Sequence, residues 1–240
     1  MGAIGLGCMR LSTAPDRDDE RAIAVVHAAL DAGVTFLDTA DAYCHDEADT
    51  GHNERVIARA LAQWGGDRAS VIVGTKGGLR RPAGAWVSDA RARHLRAACD
   101  ASRRALGVHV IDLYQLHAVD PRTPLETSVR ALAALQRDGL IRQIGLCNVN
   151  VEQIERARSI ADIASVQVSL SPFDRAASRS GVVEYCRAHG LQLYAYRPLG
   201  GERRRSLARH AALTAIAEAH AATPEQIVLA WLASAGVVPL

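Results

Sequence analysis

Four side chains of complementary chemistry fall at or just beyond the ends of short apolar runs: Asp38 and Tyr43 in FLDTADAY, Lys76 in VGTKGG and His117 in IDLYQLH. Lys76 is the only lysine among 28 basic residues; every other one is Arg. A lone lysine in that background marks a position where guanidinium does not substitute, because an ammonium is compact and its pKa responds to its surroundings. A phenol titrates near pH ~10 in water, too high for easy proton donation at neutrality. A neighbouring ammonium lowers that value, and a carboxylate keeps the ammonium charged and oriented. Tyr43 could then protonate a carbonyl oxygen, or recover the proton in reverse, while His117 donates a hydrogen bond to the same oxygen. Such a set supplies a proton and electrostatic stabilisation but no reductant, so redox work with it needs a hydride-donating cofactor. Each residue alone has a blander reading: Asp38 as a cap or ion-pair partner, Tyr43 as packing, His117 as a strand-end histidine. Four such accidents in this order, at successive strand ends, form the weaker reading.

The elements that must position these groups follow from periodicity. Short β-branched runs at 3–7, 35–38, 70–75, 111–116, 142–146, 165–168, 192–196 and 237–239 predict strands. Between them, apolar residues at three- and four-residue spacing, as in Ile23, Val26, Ala29 and Leu30, predict helices at 19–32, 53–64, 88–106, 127–138, 151–159 and 181–189. The last connection holds two, at 210–220 and 224–233. Glycine after Ala32, Asp138 and His189 supports these helix ends, and Thr223-Pro224 reads as a cap followed by a first-turn proline. Parallel strands joined by helical crossovers build a (β/α)8 TIM barrel, in which functional groups gather at the carboxyl ends of the strands. An open doubly wound sheet is the rival, but Gly5-x-Gly7 has no third glycine opening a helix.

Composition narrows the class further. At 240 residues and 49% hydrophobic content, the chain suits one large domain, expected over residues 1–240. A formal net charge of +2 gives no electrostatic case for a nucleic-acid or membrane partner. Five scattered Cys without a C-x-x-C pair read as reduced thiols that pack as small apolar groups, with Cys44 expected to be the most exposed. No apolar run approaches the roughly 18 residues of a membrane span, and no signal-peptide pattern opens the chain, so a cytoplasmic location is expected. His45, Asp46, Glu47, Asp49 and His52 lack regular ligand spacing and read as a solvated loop, so no metal is expected. Trp86 is expected to line a mouth above the strand ends, whereas Trp64 and Trp231 sit on helical patterns and are expected in the core.

At these residues the sequence resembles the aldo-keto reductase family. The resemblance is carried by FLDTADAY, VGTKGG and IDLYQLH, and further by IRQIGLCN, VQVSLSPF, YAYRPLGG and ATPEQIVLAWL, in order along nearly the whole chain. It implies a catalytic tetrad at Asp38, Tyr43, Lys76 and His117 and reduction of an aldehyde or ketone to an alcohol, with NADPH preferred over NADH as hydride donor. It also implies that Asn148 and Gln167 hold the nicotinamide carboxamide, that Tyr196 stacks on the ring, and that the backbone around Leu199, Gly200 and Gly201 approaches the pyrophosphate. Arg197 stands where Ser is frequent in the family, either reaching a phosphate or resting on the rim, and Cys147 stands where many relatives carry Ser. Arg203, Arg204 and Arg205 form a basic run in the same loop, as a phosphate clamp or a solvated segment. Family members usually carry a final outer helix and an N-terminal hairpin, so a barrel lacking both is expected. Two other functions fit parts of this pattern: a nucleotide-binding, redox-sensing barrel with little turnover, and a lyase using Lys76 as a Schiff-base nucleophile. The adjacent Asp38 argues against the lyase.

Overall fold

The computed structural model describes residues 4–240. Among these, parallel strands run in chain order around one curled sheet: β1 (Leu6–Gly7), β2 (Phe36–Asp38), β3 (Ile72–Gly77), β4 (Ile111–Leu116), β5 (Ile141–Cys147), β6 (Ile163–Ser169), β7 (Gln192–Tyr196) and β8 (Val237–Pro239). The seam between first and last strands is bridged by Gly5 N–H donating to the Pro239 carbonyl at 2.9 Å. A (β/α)8 barrel is therefore the architecture. Ala3 of the expected first strand lies outside the described residues.

Helical crossovers cover the outside: α1 (Asp19–Asp31), α2 (His52–Gln63), α3 (Ala92–Leu106), α4 (Leu125–Arg137), α5 (Val151–Arg158), α6 (Val182–Ala188), α7 (Ala211–Ala219) and α8 (Pro224–Ser234). Local chemistry fixes their ends. Asn150 and Thr223 each accept the third backbone N–H of their helix while Gln153 and Gln226 reach back, two complete capping boxes. The apolar stripes of the helices pack on the outward residues of the strands, burying Leu95, Cys99, Val129, Leu132 and Ile154. A smaller cluster fills the barrel interior below the site. There Phe36 and Tyr194 stack at 4.4 Å between Leu113 and Val238. Gly74 leaves room for the Phe36 ring, which a Cβ would meet at 2.8 Å.

Three expectations need correction. The helix expected from residue 88 begins at Ala92, because Leu79–Arg80 and Val87–Ser88 pair as a short antiparallel hairpin at the barrel mouth. Trp231 is 37% exposed on α8 rather than core. Cys44 is fully buried rather than the most accessible thiol. Trp64 is partly buried against the core, with its indole N–H donating to Asp31. The basic run Arg203–Arg205 falls in a 3-10 segment, Gly201–Arg209, not anticipated from the sequence.

Candidate active site

The carboxyl ends of β2, β3 and β4 bring the four expected residues together. Strand pairing sets Leu37 beside Val73 and Lys76 beside Gln115, and alternation turns Lys76 into the barrel while Thr75 and Gly77 face the helices. The Lys76 ammonium is fully buried and donates to three oxygens: Asp38 Oδ2 at 2.7 Å, the Thr39 carbonyl at 2.9 Å and Tyr43 Oη at 3.0 Å. Because the Tyr43 oxygen accepts from Lys76, its own hydrogen is free to point elsewhere. The ring of His117 meets that of Tyr43 edge-on at 5.5 Å, and Trp86 meets both, at 6.4 Å from Tyr43 and 6.3 Å from His117. Trp86 is 48% exposed, so it forms an outer wall over two nearly buried rings. Its other neighbour is Arg81, whose guanidinium lies 3.8 Å from the ring centre.

Electrostatics sharpen and partly correct the expectation. Burial works against the Lys76 ammonium, yet Asp38, and then Tyr43, hold its pKa above the ordinary lysine range. For Tyr43, burial pushes the phenol up by more than the adjacent ammonium pulls it down, with Asp38 adding to the rise. The net shift is therefore opposite to the expected one, although the contribution of Lys76 has the expected sign. Burial, and secondarily Lys76, drive His117 well below the usual histidine range, which leaves a neutral imidazole at physiological pH.

Two side-chain amides brace Asp38. Gln167 donates to Asp38 Oδ1 at 2.8 Å and Gln115 donates to the same oxygen at 3.4 Å. Cys147, in turn, reaches Gln115 Oε1 at 3.7 Å, so its thiol points into the barrel at the strand-end layer. Gln115 was missed in the sequence, yet the period-two register that turns Leu113 and His117 inward also turns Gln115 inward. Gln167 thus has its amide nitrogen engaged by Asp38, while its carbonyl oxygen remains an acceptor.

Around the rim, Asn148 adopts φ +58°, its backbone N–H donates to the Gln167 carbonyl at 2.9 Å, and its side-chain oxygen accepts from the Tyr196 hydroxyl at 2.9 Å. Tyr196 is half-buried, presenting its ring beside these amides. Arg197 is exposed on the rim with φ +52°, a conformation uncommon for a residue with a side chain. Gly200, at φ +84°, takes a position where a Cβ would overlap the Phe173 ring, and Arg203 stacks over the same ring at 4.3 Å. Leu199 is partly buried and packs against the core. Arg204 is drawn aside towards Glu225 at 3.5 Å. Of the polar loop residues, Asp46 caps the 3-10 turn Glu47–Asp49, Asp49 pairs with Arg17, and His52 packs against Ser12 and Asp19.

The family model for the aldo/keto reductase family matches residues 3–240 of this chain. Among solved structures, a thermostable aldo-keto reductase, Tm1743, determined with the inhibitor epalrestat, is 31% identical, with a TM-score of 0.83 over 100% of this chain and 84% of its own. Glycerol dehydrogenase from Gluconobacter oxydans is 27% identical, with a TM-score of 0.88 over 100% of this chain and 82% of its own. An aldo/keto reductase from Klebsiella pneumoniae, determined with NADP and acetate, is 28% identical, with a TM-score of 0.82 over 100% and 80%. The chain belongs to the aldo/keto reductase family, a family of NAD(P)H-dependent oxidoreductases.

Proposed function

We propose that this chain reduces a small aldehyde or ketone to the corresponding alcohol, with Tyr43 as the general acid and a reduced nicotinamide nucleotide, NADPH in preference to NADH, as hydride donor. The observation that carries this reading is the Lys76 ammonium, buried and 2.7 Å from Asp38 and 3.0 Å from Tyr43.

The strand-end chemistry fits such a nucleotide. Asn148 and Gln167 supply side-chain amides whose donors and acceptors complement a carboxamide, and the half-buried Tyr196 ring lies beside them. The exposed Arg197 and the Gly200–Gly201 backbone offer charge and close approach for phosphates. When bound, the nucleotide supplies hydride to the carbonyl carbon. Lys76 steadies the Tyr43 oxygen as that oxygen gives up its proton, and Asp38 keeps Lys76 charged and in place. Neutral His117 keeps an N–H to donate to the carbonyl oxygen and, edge-on to Tyr43, fixes where that oxygen sits. Trp86 shields the mouth from water on its outer side.

Acting as a Schiff-base lysine is disfavoured for Lys76. Its nitrogen already donates three hydrogen bonds and is held protonated, so it has no lone pair to attack a carbonyl.

Tyr43→Phe is expected to lower aldehyde-dependent oxidation of NADPH by ~10²- to 10⁴-fold, the usual worth of a positioned general acid. Nucleotide affinity, followed by quenching of tryptophan fluorescence, should remain near that of the parent. Turnover equal to the parent would remove Tyr43 as the acid. Nucleotide binding by the parent without any carbonyl-dependent oxidation would instead favour the redox-sensing alternative.

A further inference from the structure

Behind strand β3, on the side facing the helices, lies a second group of buried ionisable residues that the tetrad does not include. Thr75, next to Lys76 but pointing outward, donates to Glu54 Oε1 at 2.6 Å. Glu54 Oε2 and Asp41 Oδ1 are both buried, and neither has a hydrogen-bond partner among the described residues. Asp41 is 3% exposed and Glu54 1%. Gly51 lies between the two: its N–H donates to the Asp41 carbonyl at 2.8 Å, and a Cβ placed on it would sit 3.4 Å from Glu54 Oε2. Both carboxyls line one cavity of about 510 Å³ between α2 and α3. Two ionised carboxylates, each with one buried oxygen that has no partner among the described residues, would repel each other at the cost of desolvation, whereas protonation removes that cost.

The pair is mechanically joined to the catalytic residues. Asp41 stands two residues before Tyr43, and its N–H donates to the Lys76 carbonyl at 3.4 Å. Lys76 is flanked by Asp38 inside the barrel and by this acid pair outside it. Whichever carboxylates are charged share the field of one ammonium.

We propose that Asp41 and Glu54 are a proton-retaining acid pair that positions the charge of Lys76, leaving the ammonium committed to Asp38 and Tyr43. Burial raises both acids, with Glu54 titrating at about 7, and the charge of Glu54 is the next cause of the rise at Asp41. Loss of the proton from Glu54 adds an anion on the far side of Lys76, which weakens the ammonium's hold on the developing phenolate of Tyr43. Turnover therefore falls as the pair ionises.

Groups facing the pair are few in kind. From the buried side these are Lys76, the Tyr114 hydroxyl and the Cys99 thiol, with the buried Ser102 hydroxyl close to Glu54 but without a hydrogen-bond partner among the described residues. The cavity is further lined by Arg55, Arg80, Arg81, Arg104, Glu47 and His94. Burial lowers His94 below its ordinary range and lifts Cys99 to about 12, so neither titrates together with Glu54 near neutrality.

The role as positioning group rests on the reductase reading, whereas the retained proton does not, and the test separates them. Infrared difference spectra of the intact protein between about pH 5 and about pH 8.5 report the carbonyl stretch of a protonated carboxyl directly, with no turnover needed. The parent should show such a band that fades near neutrality and shifts in heavy water, and Glu54→Gln should lack the fading component. In parallel, kcat for aldehyde reduction in the parent should fall about threefold through the same range, following the coupled titration. Glu54→Gln, which keeps the shape of a protonated acid, should show no step there, and Glu54→Asp should bring a step back. A parent without the band, or a step that survives in Glu54→Gln, would overturn the proposal. Complete absence of turnover in the parent would sink the reductase reading, and the infrared arm would still decide whether the proton is retained.

Discussion

The two faces of strand β3 handle buried charge in opposite ways. On the inner face, Lys76 and Asp38 are both charged, and every polar atom of the ammonium has an oxygen to meet. Gln115 and Gln167 then satisfy the carboxylate oxygen that Lys76 does not use. On the outer face, Glu54 and Asp41 have no cation among their hydrogen-bond partners, and each leaves one oxygen unpartnered among the described residues. A buried charge is tolerated when it is paired and hydrogen-bonded; otherwise the group neutralises. One strand thus separates a compensated ion pair, fit to stabilise a developing phenolate, from a pair of acids kept protonated by burial.

This contrast can be broken most severely by removing the cation. Lys76→Met leaves the Asp38 carboxyl buried without its ion-pair partner, so unfolding by urea should show a loss of ~3–5 kcal/mol along with loss of turnover. Near-parental stability would mean that Asp38 is not held as an ion in the native protein.

The outer face responds to pH instead. In the folded chain Glu54 titrates at about 7, above its ordinary 4.5, so the native state binds the extra proton. Its contribution to stability is complete below the unfolded value and is lost as pH rises through the folded one. Between about pH 5 and about pH 8, the parent should lose on the order of 3 kcal/mol relative to Glu54→Gln. Parallel stability curves for the two proteins would show that Glu54 is not raised.

A smaller effect probes the partition itself. A Cβ on Gly77 would overlap the Tyr114 hydroxyl, so Gly77→Ala should cost ~1–3 kcal/mol of stability through overpacking. Thermal melting without a shift would show that the contact between β3 and β4 relaxes freely.

Much of the inner face was legible in the amino-acid sequence, because strand-end position, alternation and the single lysine all converge on it. Lys76 and His117 could be placed inward from the register of two apolar runs, and the same register carried Gln115, overlooked because it stood between recognised residues. The outer face was not legible. Nothing in the sequence marks Asp41, within FLDTADAY, or Glu54, near the start of an expected helix, as buried, and only the packing of α2 and α3 against β3 removes water from them. Ser88-Asp89 looked like a helix start. Instead Ser88 pairs with Leu79, and the Asp89 carboxylate binds Arg91, which the structure reveals through long-range pairing. Likewise a helical stripe identified Trp231 as apolar but not which neighbours α8 would meet. The sign of Lys76's influence on Tyr43 followed from chemistry, while the larger effect of burial is a tertiary quantity.

The central claim, that Lys76 acts through Tyr43, is tested most directly by a double-mutant cycle on the rate of carbonyl-dependent NADPH oxidation. Parent, Lys76→Met, Tyr43→Phe and the double variant would be compared at saturating nucleotide. With the phenol already absent, removing the ammonium should cost almost nothing further, so the two losses are strongly non-additive. Full additivity would mean that the ammonium and the phenol contribute independently, contradicting the account.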